Sequence, residues 1–238
     1  MIHDRHPTHK HSHSHDHELH GHSIYGELMC HLPQAIFSVA LGLIVLSFVT
    51  YFSIGQKQLS ATCKGAHMLF HSFHFIHIVF AAAGAVVTFR RFSSNFFNSL
   101  LIGILCPVVF CTLSDIVIPY LGGRILGVKM HFHLCFVTEL ANVVPFLIVG
   151  IINGFAMSNH PEIRHGSLAT FSHGVHIFIS SLAATFYMVS HGFTHWYEMI
   201  GMVFLFLVIA VVVPCTLSDI VVPITFAKAS KNNEKHSP

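Results

Sequence analysis

Apolar runs long enough to cross a bilayer recur from Leu32 to Phe226, and no other feature of the chain limits its fold so strongly. A hydrocarbon core about 30 Å thick needs roughly 20 apolar residues in helical form. We place six such spans at about 32–54, 66–89, 97–121, 133–157, 166–190 and 197–226. Only 9% of the 238 residues are Asp, Glu, Lys or Arg, against about 25% in an ordinary soluble domain. Most of the surface therefore has to face lipid, and no soluble catalytic domain fits in what remains. A net charge of +2 gives no nucleic-acid surface. The expectation is an all-α, multi-pass membrane protein that meets the lipid bilayer, is not an enzyme and binds no nucleic acid. The six Cys include no CxxC pair and lie mostly in apolar runs, so they do not form a secreted disulfide framework.

The chain carries an internal repeat. Cys111-Thr112-Leu113-Ser114-Asp115-Ile116-Val117-Ile118-Pro119 recurs as Cys215-Thr216-Leu217-Ser218-Asp219-Ile220-Val221-Val222-Pro223, an offset of 104. An offset of 102 carries His71-x-x-His74 onto His173-x-x-His176, and His31-Leu32 onto His133-Leu134. Three landmarks thus return in the same order. Each half holds three spans, an odd number, so the second half enters the membrane from the opposite side. That is a 3+3 inverted-topology repeat, an architecture common among secondary transporters. The expected organisation is a disordered His-rich tail (1–26), a first three-helix repeat (27–123), a second, inverted one (124–228) and a polar C-terminal tail (229–238). With the N-terminus inside, eight Lys and Arg fall on the cytoplasmic side and four outside, so both termini are expected in the cytoplasm. A unit this small is compatible with a homodimer.

Asp115, Glu139 and Asp219 are the charged residues that fall deep within the expected spans. All three are acids, with no Lys or Arg at their depth. A carboxylate there costs several kcal/mol unless it faces a partner or a wet cavity, which leaves histidine, a proton or a bound cation. Histidine is at hand. His67, His71, His74 and His77 lie on one stripe of the second span, and His173 and His176 on the fifth. Facing i, i+3 pairs on bundle helices can hold one metal. We therefore take His71, His74, Asp115, His173, His176 and Asp219 as the candidate metal set. Further metal or proton-coupling candidates are His67, His77, Glu139, Asn142, Cys111, Cys215, Ser114 and Ser218. Nitrogen and carboxylate ligands suit zinc, iron, nickel, cobalt or manganese, and thiolates would tilt the choice towards zinc or cuprous copper.

Pro107 and Pro119, and Pro214 and Pro223, flank the repeated segment, so the third and sixth helices are expected to break or kink there. His131, His133, His191 and His195 stand at span ends and read as interfacial residues or entry ligands. In the N-terminal tail, His9, His11, His13, His15, His17, His20 and His22 alternate with polar residues, a composition that buries no core but binds divalent ions loosely. The arrangement resembles inverted-repeat metal transporters in general and no named family. The leading expectation is a transporter whose substrate is a divalent transition metal, zinc first among them. Its rivals are a membrane haem or electron-transfer protein, a proton channel and a thiol redox protein.

Overall fold

A computed structural model of the chain describes residues 24–55, 59–159 and 167–236. The tail histidines His9 to His22 lie outside them. The described residues are helical, without strands. In chain order the helices are α1 (Ile24–Gly55), α2 (Leu59–Arg90), α3 (Phe96–Cys106), α4 (Ile118–Ile125), α5 (Cys135–Thr138), α6 (Leu140–Ser158), α7 (Ser167–Ser190), α8 (Ile200–Thr216) and α9 (Val222–His236). π-helical turns at Pro107–Cys111 and Leu113–Val117 join α3 to α4, and one at Leu217–Val221 joins α8 to α9.

Among the described residues, five stretches are long and apolar enough to cross a membrane: His31–Phe52, Cys63–Arg90, Phe96–Ile125, Leu140–Ser158 and Trp196–Lys231. The multi-pass character thus stands, although α7, the fifth expected span, is not among the five. The reason is its polar load. Its described part carries His173, His176, Ser180, Ser181, Thr185 and Ser190, and it is enclosed by α1, α2 and α8 rather than turned to lipid. α6 is the opposite case. Its large apolar side chains Leu140, Phe146, Ile148, Val149 and Ile152 point outwards, as expected where the solvent is hydrocarbon.

α2 is the central helix and packs on α7, α6 and α3. Its contacts with α7 run in opposite chain order: Phe70 meets Tyr187, Phe73 stacks on Phe186, and His77 meets His176. The two helices are therefore antiparallel. Against α6 the approach is closer still. A Cβ on Gly150 would stand 2.7 Å from the Val79 carbonyl oxygen, and one on Gly154 would stand 2.8 Å from Val86 Cβ. This G-x-x-x-G pair lets two backbones touch where lipid supplies no hydrophobic drive.

The expected breaks take the form of widened turns within continuous helix. The Ile118 N–H donates to the Leu113 carbonyl, and the Val222 N–H to that of Leu217, five residues back in each case. The next residue is proline both times. It has no N–H for the carbonyl four residues back, and its ring crowds that carbonyl. The crowded carbonyls belong to Asp115 and Asp219, so opening the turn sets each acid on a bulge. Single π turns of this kind concentrate at functional sites. The fourth expected span also differs from expectation. It is interrupted at Glu139, whose φ of −128° and ψ of 33° leave the helix between α5 and α6.

Candidate functional site

Two π turns bring two aspartates to the α2–α7 seam. Asp115, which has no exposed surface, accepts from both neighbouring histidines on α2 through one oxygen: His74 Nδ1 at 2.8 Å and His77 Nδ1 at 2.7 Å. Its other oxygen accepts from Ser114 Oγ at 2.6 Å and from Ser180 Oγ of α7 at 2.9 Å. Asp219 has the same layout on α7, where its Oδ2 accepts from His173 Nδ1 at 3.0 Å and His176 Nδ1 at 2.6 Å. Its Oδ1 is buried without a hydrogen-bond partner, as is the hydroxyl of Ser218. The carboxylate lies against Gly84 of α2, where an added Cβ would stand 3.4 Å from Cγ and both oxygens.

The two clusters meet at the seam, where His77 Nε2 lies 2.6 Å from His176 Nε2. Each imidazole has given its Nδ1–H to a carboxylate, so in the neutral form each offers a lone pair at Nε2. Two lone pairs aimed at each other repel unless a cation stands between them. Cys215 Sγ lies 3.9 Å from His77 Nε2 and 3.5 Å from Ser180 Oγ, and Cys111 is also against His77. The ligand atoms of His77, His176 and Cys215 lie within 4.8 Å of one another, and so do those of His173, His176 and Asp219. Tetrahedral zinc sets its nitrogen ligands roughly 3.3 Å apart, so the two imidazoles would have to spread by about 0.7 Å to hold it. His74 Nε2 is buried without a partner.

The polar line continues at both ends. Towards the N-terminal end of α7, His173 Nε2 meets His31 Nδ1 at 3.0 Å. Towards the N-terminal end of α2, His71 Nε2 and His133 Nε2 stand 2.9 Å and 3.3 Å from one oxygen of Glu139. The other Glu139 oxygen accepts from Asn142 Nδ2 at 3.4 Å. His67 packs on His71, and His191 stacks on His133. Just past α7, burial pushes the pKa of His191 down to about 4, keeping it neutral.

The sequence-predicted residues thus divide. His74, Asp115, His173, His176 and Asp219 come together, with His77, Cys111, Cys215 and Ser114 among them. His71 does not join Asp115. It sits one turn further along and pairs with Glu139, and His77 takes the place expected for it. Glu139 and Asn142 stand at the end of the bundle, with His67 nearby. Ser180, Gly84 and His31 were not anticipated as site residues. His31 carried a signal: the offset of 102 that relates His31 to His133 also relates His173 to His71, and these are the two end pairs. Nothing in the sequence marked Ser180 or Gly84.

Comparison with protein-family models, with curated proteins and with solved structures finds no match to this chain. Its function has to be read from the buried His, Asp and Cys groups on apolar helices, which are compatible with a membrane metal-binding protein.

Proposed function

We propose that this protein is a transmembrane transporter of divalent transition-metal ions, zinc first among them, which cross at the His77–His176 seam. The observation that carries the reading is the 2.6 Å approach of two Nε2 atoms whose Nδ1–H groups are both anchored on carboxylates. Carboxylate–histidine pairs of this kind orient metal-binding imidazoles and raise their basicity. Cys215 adds a soft third ligand, and the unpartnered oxygen of Asp219, on the Nδ1 side of the His176 ring, offers a hard ligand atom to an ion on its way to the seam. Nitrogen and sulfur ligands favour zinc and its neighbours over magnesium or calcium, which take oxygen.

Alternating access is the mechanism that fits best. The antiparallel α2–α7 seam and the repeated landmarks support a 3+3 inverted repeat, in which one half rocks against the other around a fixed site. From His173 to His191 the α7 side of the polar line rises about 27 Å, close to the thickness of a bilayer core. Metal has to displace protons from imidazole and thiol, so release is favoured on the more acidic side and proton counterflow is the natural coupling. The bias of Lys and Arg supports cytoplasmic termini, which would let the His-rich tail buffer metal at the cytoplasmic mouth.

A second reading rests on the same contact. Without metal, a proton shared by His77 and His176 would link the His and Asp groups into a relay, the pattern of a proton channel. The haem reading is weaker, because two imidazole nitrogens in contact leave no gap for a porphyrin. The test is flux into liposomes loaded with a metal-sensitive dye, comparing Zn²⁺, Fe²⁺, Mn²⁺, Ni²⁺, Co²⁺ and Cu⁺. Zn²⁺ uptake is expected in the natural chain and should vanish in His77→Gln/His176→Gln. Undiminished uptake in that variant would remove the site. Proton flux with no metal flux in the natural chain would replace the transporter with the channel.

A further inference from the structure

The end cluster around Glu139 repeats the electrostatic problem of the central seam with different residues. His71 Nδ1 lies 2.9 Å from the carbonyl oxygen of His67, one turn back, and that oxygen can only accept. Nδ1 therefore carries the hydrogen, and neutral His71 presents a lone pair at Nε2. Yet Nε2 faces Glu139 Oε1 at 2.9 Å, another acceptor, and His133 Nε2 stands 3.3 Å from that same oxygen. A cation between these atoms resolves the clash. A proton on His71 would suffice for one contact, but the site also contains sulfur. The ligand atoms of His71, His133 and Cys135 lie within 4.8 Å of one another. Two imidazoles and a thiol supply three ligands of the kind zinc takes, and Glu139 Oε1, which borders both imidazoles but stands outside that close group, is the candidate fourth. Around zinc, nitrogen and oxygen ligands sit roughly 3.3 Å apart. The observed separations of 2.9 Å and 3.3 Å need little adjustment.

Local structure assembles this set from three elements. His71 comes from α2 and Cys135 from the single turn α5. His133 lies just before α5, where the neighbouring His131 N–H donates to the His191 carbonyl. Glu139 stands at the break before α6, and that break turns the carboxylate towards α2. Cys135 is buried, while His71, His133 and Glu139 are partly exposed, so an ion can arrive without crossing the core. A depression lined by Cys63, Lys64, His67, Met68 and Ser190 opens beside His67, whose ring lies 4.3 Å from that of His71.

We propose that His71, His133, Cys135 and Glu139 form a second transition-metal site, a zinc-class site at the mouth of the bundle. It lies about 9 Å of helix rise from the His77 seam and shares no ligand with it. The site stands whether or not the seam carries metal.

Co²⁺ titration of the purified full-length protein in detergent tests it, read by the thiolate-to-cobalt charge-transfer band. The His-rich tail, residues 1–26, contains no Cys and is silent in that band. Cys135→Ser is expected to remove the band's mouth-site component and to lower the bound thiolate-ligated cobalt by one equivalent. Cys215→Ser should leave that component intact. If the buried Cys135→Ser variant fails to fold, the partly exposed His133→Gln variant gives the same answer as a tenfold or greater loss of Co²⁺ affinity in that component. A band unchanged in Cys135→Ser, or in His133→Gln, would overturn the proposal and leave an imidazolium–carboxylate pair only. Loss of the band in Cys215→Ser alone would place all thiolate-bound metal at the seam and have the same consequence.

Discussion

Asp115 and Asp219 sit in the same pentapeptide, Leu-Ser-Asp-Ile-Val, in the same π turn, each holding two histidines through one oxygen. They differ in what faces the other oxygen. Asp115 finds Ser180 and its own neighbour Ser114, so both oxygens are occupied. Asp219 finds Gly84, and both its Oδ1 and the Ser218 hydroxyl are left open. Local sequence decides the backbone and the histidine pairing. The opposite helix decides whether the acid is finished or keeps a free ligand atom. Asp115 is built as a fixed strut, and Asp219 keeps capacity for something else.

The largest expected difference follows directly. Asp115→Ala strands His74, His77 and Ser180 in the interior and should destabilise the protein by roughly 3–5 kcal/mol, as when one partner of a buried polar network is removed. Asp219→Ala strands two donors where Asp115→Ala strands four, and should cost less by the two hydroxyl bonds, roughly 1–3 kcal/mol. Denaturant unfolding in detergent measures both, and equal or reversed losses would erase the distinction between the two aspartates. A smaller effect is expected from Ser180→Ala. It removes one donor from Asp115 and should cost about 1 kcal/mol with little change in metal flux, because Asp115 keeps three donors. A flux loss as large as that of the His77→Gln/His176→Gln variant would give Ser180 a role beyond propping Asp115, through the Cys215 thiol that it also meets at 3.5 Å.

Much of this arrangement was legible in the sequence, for physical reasons. Unpaired intramembrane acids and histidines at helical spacing had to meet, because lipid offers them no other partner, and Asp115, Asp219, His74, His173 and His176 do meet. The register was not legible. α2 carries His71, His74 and His77 one turn apart, so Asp115 could pair equally well with either neighbouring couple. The repeat offset favoured His71 and His74. In the fold the π turn stands level with His74 and His77, and Asp115 pairs with those two. The displaced His71 is then free for Glu139. Glu139 was expected deep in the fourth span, because hydropathy does not register a helix break one residue long. Ser180 and Gly84 read as ordinary small residues of apolar helices, and only tertiary contact gives them meaning. The His-rich tail lies outside the described residues.

The finest test converts the setting of one aspartate into that of the other. Gly84→Ser places a hydroxyl opposite the open oxygen of Asp219, copying what Ser180 does for Asp115. A new buried hydrogen bond should add about 1 kcal/mol of stability, and metal flux should fall because the free ligand atom is now occupied. Two other effects act in the same variant. Replacing a helical glycine is itself stabilising by up to about 1 kcal/mol, and the new Cβ, 3.4 Å from the carboxylate, adds bulk. Gly84→Ala carries both of these without the donor, and its propensity gain is the larger of the two. If donation is what matters, the serine variant should be at least as stable as the alanine variant despite its poorer helix propensity, and only the serine variant should lose flux. If both lose flux equally, the space beside Asp219 is the functional feature. The open oxygen would then be a consequence of leaving room for an ion to pass, and the difference between the two aspartates would be one of access rather than of ligand supply.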